Sequence, residues 1–344
     1  MANIRDVARQ AGVSISSVSN VLNNRIDQMS KETRGKIEHA IAALNYRPVQ
    51  SAQPVGKTPA TIIGLLVPSI SNPSFSALVE EINRAARACQ HRVVLGNVNR
   101  HEDEERAFIS DMTTLGVSGI IVAASDIRKT HFIQAAERGM AIVSYDNRFT
   151  EIITAESRLF DSVSMDNVAA GRLATNHLIA RGCRNIVFAT ESALTLSRSH
   201  KIAGFQAALS QHNLPIEGRI IEGIAHNDYG DSEMYELGLS LADSLLSLET
   251  CPDGVIAIND ALAIGLMAGL RKAEVRIPEQ ISIVGIDNIS LSALAEPGLT
   301  SVMPPLAKMS ELMVKRLIDR IDNNALPVEE FLFTPQLIIR QSVR

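Results

Sequence analysis

The stretch NIRDVARQAGVSISSVSNVL, from Asn3 to Leu22, decides the fold of the N-terminus. Gly12 divides it into two segments whose apolar residues recur at helical spacing, namely Ile4, Val7, Ala8 and Ala11 before the glycine and Val18, Val21 and Leu22 after it. Glycine supplies the backbone freedom of a sharp turn, and Ser14 is placed to cap the second helix. Two short helices joined in this way form a helix-turn-helix, whose second helix enters the major groove of DNA. The stretch therefore predicts a DNA-binding head, with a helical bundle that has no DNA role as the alternative.

A third helix is predicted directly after this motif. Ser30 is placed to cap its start and Pro48 to end it, and its inner face carries Ile37, Ala40, Ile41 and Leu44. We therefore predict a three-helix head over residues 1–48, which is too small to bury much surface on its own.

Charge separates the head from the rest of the chain. Residues 1–60 contain eight Lys or Arg and four Asp or Glu, a net charge of +4 within a chain whose net charge is −5. A basic head on an acidic body favours a phosphate backbone as the partner of the head. A basic surface patch without a partner is the alternative.

Residues 49–61 are predicted to form a linker between the head and the body. They lack an apolar period and contain Pro54, Gly56 and Pro59. The sequence GKT at residues 56–58 is part of a phosphate-loop pattern, but no strand is predicted before it and no helix after it. We therefore do not assign a nucleotide site here.

The composition gives no indication of export or of membrane insertion. No basic stretch leads into an apolar run at the N-terminus, and no apolar stretch approaches the roughly 18 residues that cross a bilayer. Cys89, Cys183 and Cys251 are odd in number and widely spaced, which fits reduced thiols that fill the core. We therefore expect a cytoplasmic protein with no membrane partner, no cofactor and no metal site.

From residue 62 the sequence alternates between short apolar strands and helical stretches. The predicted strands are 62–67, 93–95, 119–123, 141–145, 163–165, 186–189, 220–221, 254–258 and 281–286. Nearly continuous apolar strands joined by crossover helices are typical of parallel sheets covered on both faces. We therefore predict an α/β core of two doubly wound parallel sheets, with a crevice at the carboxyl ends of their strands.

Polar side chains follow several of these strands, at the edge where such sheets bind ligands. Carboxylates and amides accept and donate hydrogen bonds as a polyhydroxylated ligand requires, and an aromatic ring offers it a flat apolar face. The predicted ligand residues are Phe75, Asp146, Asn147, Asn259 and Asp287. Each of them could instead be a helix cap or a turn residue, and for Asp260 we favour that structural role.

Five further motifs, taken with the head, resemble the LacI/GalR family of bacterial regulators. They are LNYRP at 44–48, PSISNP at 68–73, AGF at 203–205, AIND at 257–260 and VGIDN at 284–288, and they cover essentially the whole chain in order. The resemblance implies a homodimeric repressor that binds a near-palindromic operator in double-stranded DNA. It also implies an effector, in this family most often a sugar or a nucleobase, bound between two lobes like those of periplasmic binding proteins, and here we expect a sugar.

The resemblance implies that late segments of the chain complete both lobes. The N-terminal lobe would comprise residues 62–161 and 292–323, and the C-terminal lobe residues 162–291 and 324–344.

In the head and linker, the resemblance assigns DNA contacts. Ile15, Ser16 and Asn20 match positions that read base edges, and the backbone-contacting positions are Asn3, Ser14, Ser17, Asn23 and Tyr46. In the family the linker folds into a hinge helix on DNA, and a leucine from it wedges into the minor groove. Ala52 fits this pattern, but Pro54 and Val55 stand where a helix former and the leucine are expected. We therefore predict a weakened hinge that starts later, bends the DNA less or stays extended, with Ala52 and Val55 as its DNA contacts.

In the crevice, the resemblance assigns effector contacts to the same five residues that follow the strands. It also places an arginine three residues before the Gly204-Phe205 pair, where this chain has Lys201. Lysine is a point-charge donor and not a planar fork, so Arg198, one helical turn earlier, is an alternative anchor for the ligand.

Two other classes of protein share features of this sequence. A cleft enzyme is the first, but the chain contains no nucleotide-binding glycine fingerprint, no Ser/His/Asp arrangement and no His-rich metal spacing. A solute-binding protein of a transporter is the second, and it shares the two-lobed fold but has no use for the head. We therefore expect a regulator and not an enzyme.

Overall fold

A computed structural model describes residues 4–22, 29–44, 61–123, 128–147, 159–192, 195–224 and 233–344. The chain divides into two compact units, Met1–Pro59 and Ala60–Arg344. Several predicted positions lie outside the described residues, namely Asn3, Asn23, Tyr46, Ala52, Pro54 and Val55, with nearly all of the predicted linker.

The first unit contains the three predicted helices, α1 (Ile4–Ala11), α2 (Ile15–Leu22) and α3 (Lys31–Ala43). Gly12 joins the first two helices at a φ of +65°, a left-handed conformation that glycine adopts without strain. Ser30 caps α3 by accepting a hydrogen bond from the backbone of its first turn. The core of the unit is formed by Val7, Ala8, Ala11, Val18, Ile37 and Ala40.

The second unit alternates strands and helices. Its strands are β1 (Thr61–Val67), β2 (His91–Asn97), β3 (Gly119–Ala123), β4 (Ala141–Tyr145), β5 (Asp161–Met165), β6 (Ile186–Glu191), β7 (Ile220–Gly223), β8 (Gly254–Ala257), β9 (Ser282–Ile286), β10 (Thr300–Met303), β11 (Glu330–Phe333) and β12 (Gln336–Ile338). Its helices are α4 (Pro73–Ala88), α5 (Glu102–Thr114), α6 (Thr130–Glu137), α7 (Asn167–Ala180), α8 (Leu196–Gln211), α9 (Met234–Leu246), α10 (Asp260–Lys272), α11 (Ser290–Leu294) and α12 (Leu306–Asp322). Each strand predicted from the sequence overlaps one of these strands. No helix in the ranges given above is long and apolar enough to cross a membrane.

Within the described residues the strands form two six-stranded sheets. The first has the order β11-β5-β4-β3-β1-β2 and is parallel throughout. The second has the order β12-β10-β9-β8-β6-β7, in which β12 is antiparallel to β10. Along β1, Leu65 and Val67 pack into one buried cluster and Leu66 into another, so both faces of the sheet are covered. The predicted fold of two doubly wound sheets is confirmed.

The order of the strands corrects the predicted lobe boundaries. β5 and β11 pair with each other in the first sheet, although residues 162–165 and 324–344 are predicted in the C-terminal lobe. β10 pairs with β9 in the second sheet, although residues 292–323 are predicted in the N-terminal lobe. A short apolar run has the strand pattern whichever sheet it joins, so the pattern identifies the strand but not its partner. As predicted, α12 returns to the N-terminal lobe, where it packs against α4, β3, β4 and β5.

A buried carboxylate fixes this arrangement of late segments. Asp161, at the start of β5, accepts hydrogen bonds from Nε of Arg316 and Nε of Arg320 in α12, each at 2.8 Å. It also accepts one from the backbone N–H of Glu329, just before β11, at 2.8 Å. Burial alone would raise the pKa of Asp161, but the hydrogen bonds from Arg320, Arg316 and Glu329 outweigh it and hold the pKa below its ordinary value. One side chain thus joins β5, α12 and β11 in the first lobe.

Candidate functional site

The outer face of α2 carries the residues that are predicted to read base edges. Ser16 and Asn20 are exposed and Ile15 is 46% exposed, whereas Val18 is fully buried in the core of the head. An amide can pair with a base edge through two hydrogen bonds, and an apolar side chain can pack on a thymine methyl. The exposed face of α2 therefore has the chemistry of a recognition helix.

Hydroxyl groups are concentrated at the start of α2. The backbone N–H of Ser17 donates to Oγ of Ser14 at 3.2 Å, which confirms the predicted cap. Oγ of Ser16 and Oγ of Ser17 lie 2.7 Å and 2.9 Å from the same atom. The positive end of the helix dipole and three hydroxyls meet here, an arrangement that suits a phosphate oxygen.

The predicted effector residues lie at the carboxyl ends of the two sheets in the second unit. Asp146 and Asn147 follow β4, Asn259 follows β8 and Asp287 follows β9. Asp146 and Asp287 have left-handed backbones, with φ of +63° and +112°. Residues other than glycine adopt such conformations at a cost of about 1–3 kcal/mol, and mostly where the local geometry serves a site.

Neighbouring strands orient the residues that follow β4. Oδ1 of Asp146 accepts hydrogen bonds from Oγ of Ser164 at 2.9 Å and from Nδ2 of Asn167 at 2.7 Å. Asn147 is buried, and its backbone carbonyl accepts a hydrogen bond from the hydroxyl of Ser162. β5 and the start of α7 therefore hold this end of the crevice in place.

Asp287 lies among charged groups from both lobes. Burial raises its pKa above the ordinary value, and Asp146 adds to the rise, whereas Lys201, a hydrogen bond from Ser74 and Arg198 oppose it. Both candidate cations of α8 are therefore close enough to Asp287 to affect its charge.

The two cations of α8 have different partners in the second lobe. Arg198 forms an ion pair with Glu191 at the end of β6. Nζ of Lys201 donates to the backbone carbonyl of Ile258 at 3.4 Å. Because Glu191 offsets the charge of Arg198, Lys201 is the stronger of the two counter-charges for an anionic group such as the carboxylate of Asp287.

A cavity of about 780 Å³ opens between the two lobes. Its lining includes Asp287, Ser74 and Tyr145, together with Pro304 and Pro305 where the chain passes from β10 to α12. Asp287 is the predicted effector residue that lines it. Its lining does not include the other predicted residues, of which those less than a tenth exposed are Phe75, Asn147, Arg198, Lys201 and Asn259.

Two of the predicted side chains already have structural roles. Phe75 packs within the hydrophobic core. Asn259 caps α10 by accepting a hydrogen bond from the backbone N–H of Leu262 at 2.9 Å. The capping role that the sequence favours for Asp260 therefore belongs to Asn259, which has the extended backbone of a cap residue. Asp260 is the first residue of α10 and is fully buried.

Tyr145 and Ser74 line the cavity beside Asp287, and neither is among the predicted site residues. Burial, with the charges of Asp146 and Asp287, raises the pKa of Tyr145 well above its ordinary value, so its phenol stays protonated. Tyr145 ends β4, and the rule that ligands bind at strand ends could have identified it. Ser74 has no such signal in the sequence, because a serine in the first turn of a helix is common.

Comparison with known proteins follows the same division of the chain. Residues 3–49 match the family model described as bacterial regulatory proteins, lacI family. Residues 175–343 match the model described as a periplasmic binding protein-like domain.

Similar proteins cover the head and the core together. The chain is 28% identical to the HTH-type transcriptional repressor PurR of Vibrio parahaemolyticus, with 100% of this chain and 99% of the relative aligned. It is also 28% identical to the ribose operon repressor of Halalkalibacterium halodurans, with 100% and 98% aligned. A solved structure of a LacI family transcriptional regulator from Enterococcus faecium with bound ribose is 27% identical, has a TM-score of 0.70, and matches over 82% of this chain and 98% of its own.

Proposed function

Because the chain belongs to the LacI family of bacterial regulatory proteins, we propose that it is a cytoplasmic repressor whose affinity for operator DNA is switched by a small hydroxylated effector. The observation that carries this proposal is the presence, in one chain, of an exposed recognition face on α2 and a polar crevice between two lobes. It is a binding protein, and its crevice serves to sense a ligand and not to convert it.

The head reads DNA as one of a pair. Ile15, Ser16 and Asn20 contact base edges, while Ser14 and Ser17, with Asn3, Asn23 and Tyr46, contact the phosphate backbone. A single three-helix head offers few contacts, so two copies related by a two-fold axis bind the two halves of a near-palindromic site. Ala52 and Val55 of the linker complete the contact with DNA.

The effector is a sugar held at the carboxyl ends of the two sheets. Asp287 and Tyr145 supply an acceptor and a donor for its hydroxyls at the cavity wall, with Asp146, Asn147 and Asn259 behind them. Phe75 supports the wall, and Lys201 and Arg198 balance the charge of Asp287. D-ribose is the first probe, because one similar repressor is named for the ribose operon and one similar regulator binds ribose.

The switch works through the relative position of the two lobes. The chain passes between the lobes from β5 to α7, from β10 to α12 and from β11 to β12. An effector can change the affinity for DNA only through its different affinity for the two lobe arrangements. These three passages are therefore the hinges by which occupation of the crevice reaches the paired heads.

A mobility shift with the full chain and with residues 60–344 tests this proposal. The full chain should retard DNA that carries a two-fold symmetric site, and its affinity should fall steeply with salt because Lys and Arg displace counterions from phosphate. Residues 60–344 should not retard the DNA but should still bind the sugar. Retardation of the DNA by residues 60–344 would show that the head is not needed for DNA binding. Conversion of the sugar to a product would favour an enzyme.

A further inference from the structure

A hydrogen bond between Ser74 and Asp287 joins the two lobes across the crevice. Oγ of Ser74, in the first turn of α4, donates to Oδ2 of Asp287, at the end of β9, at 2.5 Å. α4 packs with the first sheet, whereas β9 belongs to the second. Both residues line the cavity between the lobes, so the bond spans the space in which we place the effector.

Local structure fixes both ends of this bond. Asn72 caps α4 by accepting from the backbone N–H of Ser74 at 3.0 Å, which fixes the backbone from which the hydroxyl reaches the cavity. The backbone N–H of Asp287 donates to the carbonyl of Val302 at 2.8 Å, and its left-handed φ sets the direction of the carboxylate. Backbone hydrogen bonds therefore hold both partners in place, and neither partner is a long side chain on the surface.

The hydroxyl of Ser74 donates a hydrogen bond to the carboxylate of Asp287, as a hydroxyl of the effector would. A partly desolvated carboxylate requires donors, because leaving it without them costs the desolvation of a charged group. The hydrogen bond from Ser74 lowers the pKa of Asp287 and so opposes the effect of burial. The neighbouring Ser76 also lines the cavity, but its hydroxyl donates to the carbonyl of Ile70 within the same lobe, at 2.5 Å.

We infer that Ser74 is a positioning residue of the effector site whose hydroxyl holds Asp287, and with it the second lobe, against the first lobe when the crevice is empty. The effector then takes the place of Ser74 on Asp287 and can change how the lobes meet. The assignment of the crevice to an effector rests on the proposed function, whereas the Ser74–Asp287 bond, a latch between the lobes, requires no ligand.

The native cysteines allow the latch to be measured in the full-length protein. Cys89 follows α4 in the first lobe and Cys251 precedes β8 in the second. Both are exposed, so the predicted core position is wrong for them and holds only for the buried Cys183. Nitroxide labels on the two exposed thiols report the distance between the lobes by pulsed electron resonance. Labelled chains are diluted with unlabelled chains so that each distance arises within one chain.

Ser74→Ala should add a population with a longer distance between Cys89 and Cys251, and Asp287→Ala should do the same. The double variant should open no further than either single variant, because each substitution removes the same hydrogen bond. Ser74→Thr, which keeps the hydroxyl, should restore the shorter distance. Ser76→Ala is the matched control on the same helix and should leave the distribution as it is in the unsubstituted protein.

A distance distribution of Ser74→Ala that superimposes on that of the unsubstituted protein would overturn the inference, as would an equal shift in Ser76→Ala. DNA affinity measured on the same samples separates the two proposals. If the variants open as expected but the unsubstituted protein binds no DNA, the latch stands and the proposed function fails. If the unsubstituted protein binds DNA but the variants do not open, only the latch fails.

Discussion

At the scale of single residues, the fully buried carboxyl of Asp260 is the least ordinary group in the core. It accepts hydrogen bonds from the backbone N–H of Ile289 at 3.0 Å, from Oγ of Ser292 at 2.5 Å and from Oγ of Ser301 at 2.6 Å. Burial, with the nearby charge of Asp287, nevertheless outweighs these three donors and raises the pKa of Asp260 to about 7. The carboxyl therefore changes its charge near neutral pH within the second lobe.

The first prediction concerns the stability of the core against pH. The folded protein holds the proton of Asp260 up to about pH 7, whereas the unfolded chain releases it near its ordinary pKa of 3.8. The stability that this group contributes is complete below the unfolded pKa and is lost as pH rises through the folded pKa. The free energy of unfolding should therefore fall between these values by at most about 1.4 kcal/mol per pH unit, as measured by urea titration.

Asp260→Asn should remove this part of the pH dependence, because the amide does not titrate. Asp111→Asn, at an exposed position of α5, is the control and should keep the slope of the unsubstituted protein. Equal slopes in all three proteins would mean that Asp260 does not titrate near pH 7.

The second prediction concerns the choice of operator. Asn20→Ala should relax the preference at one base pair in each half-site, because a bidentate amide contributes about 1–3 kcal/mol of discrimination. Binding to a set of operators with each base pair changed in turn measures the effect. Gln10→Ala, which removes an exposed amide from α1, should leave the preference unchanged. A uniform loss of affinity across all operators would instead identify Asn20 as a residue that positions or packs α2.

At the scale of elements, glycines determine how the helices of the second lobe cross. A Cβ on Gly171 of α7 would lie 2.0 Å from the backbone oxygen of Lys201, and one on Gly204 of α8 would lie 2.0 Å from that of Val168. The two helices therefore touch backbone to backbone. Because Lys201 takes part in this contact, the glycine pair also sets the position of a predicted effector residue.

The third prediction tests this close contact. Gly204→Ala should lower the free energy of unfolding of the core by about 3 kcal/mol, the upper end of the usual range for overpacking, because a backbone oxygen cannot move aside as a flexible side chain can. Urea titration of the full chain measures it. Gly35→Ala, in the interior of α3, meets nothing within 4 Å and should leave the core transition unchanged. A core transition that is the same in both variants would refute the tight crossing.

The sequence predicts the existence of elements better than the pairing between them. Apolar runs such as 119–123 identify buried strands because side chains on both faces of the sheet must be apolar. An apolar run does not indicate which sheet a late strand joins. That depends on the pairing of β10 with β9 and of β11 with β5, and the ion pairs of Asp161 with α12 stabilise the first lobe around β5.

The site is predictable to a similar degree. The strand-end rule leads directly to Asp287, which lines the cavity, and to Asp146, which follows β4. The rule cannot tell that Asn259 caps α10, that Phe75 is in the core, or that Ser74 reaches across from the other lobe. Those roles depend on the direction of a side chain in the assembled fold.

At the scale of the whole molecule, the linker must transmit the position of the lobes to the heads. Its predicted weakness comes from Pro54, a residue type that is unfavourable inside a helix, and from Val55, a smaller side chain than the leucine that the family places in the minor groove. A fourth prediction follows: Pro54→Gln combined with Val55→Leu should tighten binding to the operator. Affinity for DNA of unrelated sequence, measured in the same titrations, is the control and should not change. If affinity for the operator and the response to the effector both stay as they were, the hinge does not act as it does in the family.

Whether the crevice controls the heads is tested most directly by the ratio of operator dissociation constants with and without the sugar. The ratio is measured for the full chain and for Asp287→Ala. The operator is selected from random DNA by the full chain, and the sugar is the one, from a panel headed by D-ribose, that most raises the melting temperature. We predict a site with two-fold symmetry and a ratio that differs from one by at least about tenfold, within the usual range of allosteric coupling. For Asp287→Ala we predict a ratio near one, whatever its own affinity for the operator. A ratio near one for the unsubstituted protein, with a sugar that demonstrably binds it, would contradict the claim that the crevice controls the heads.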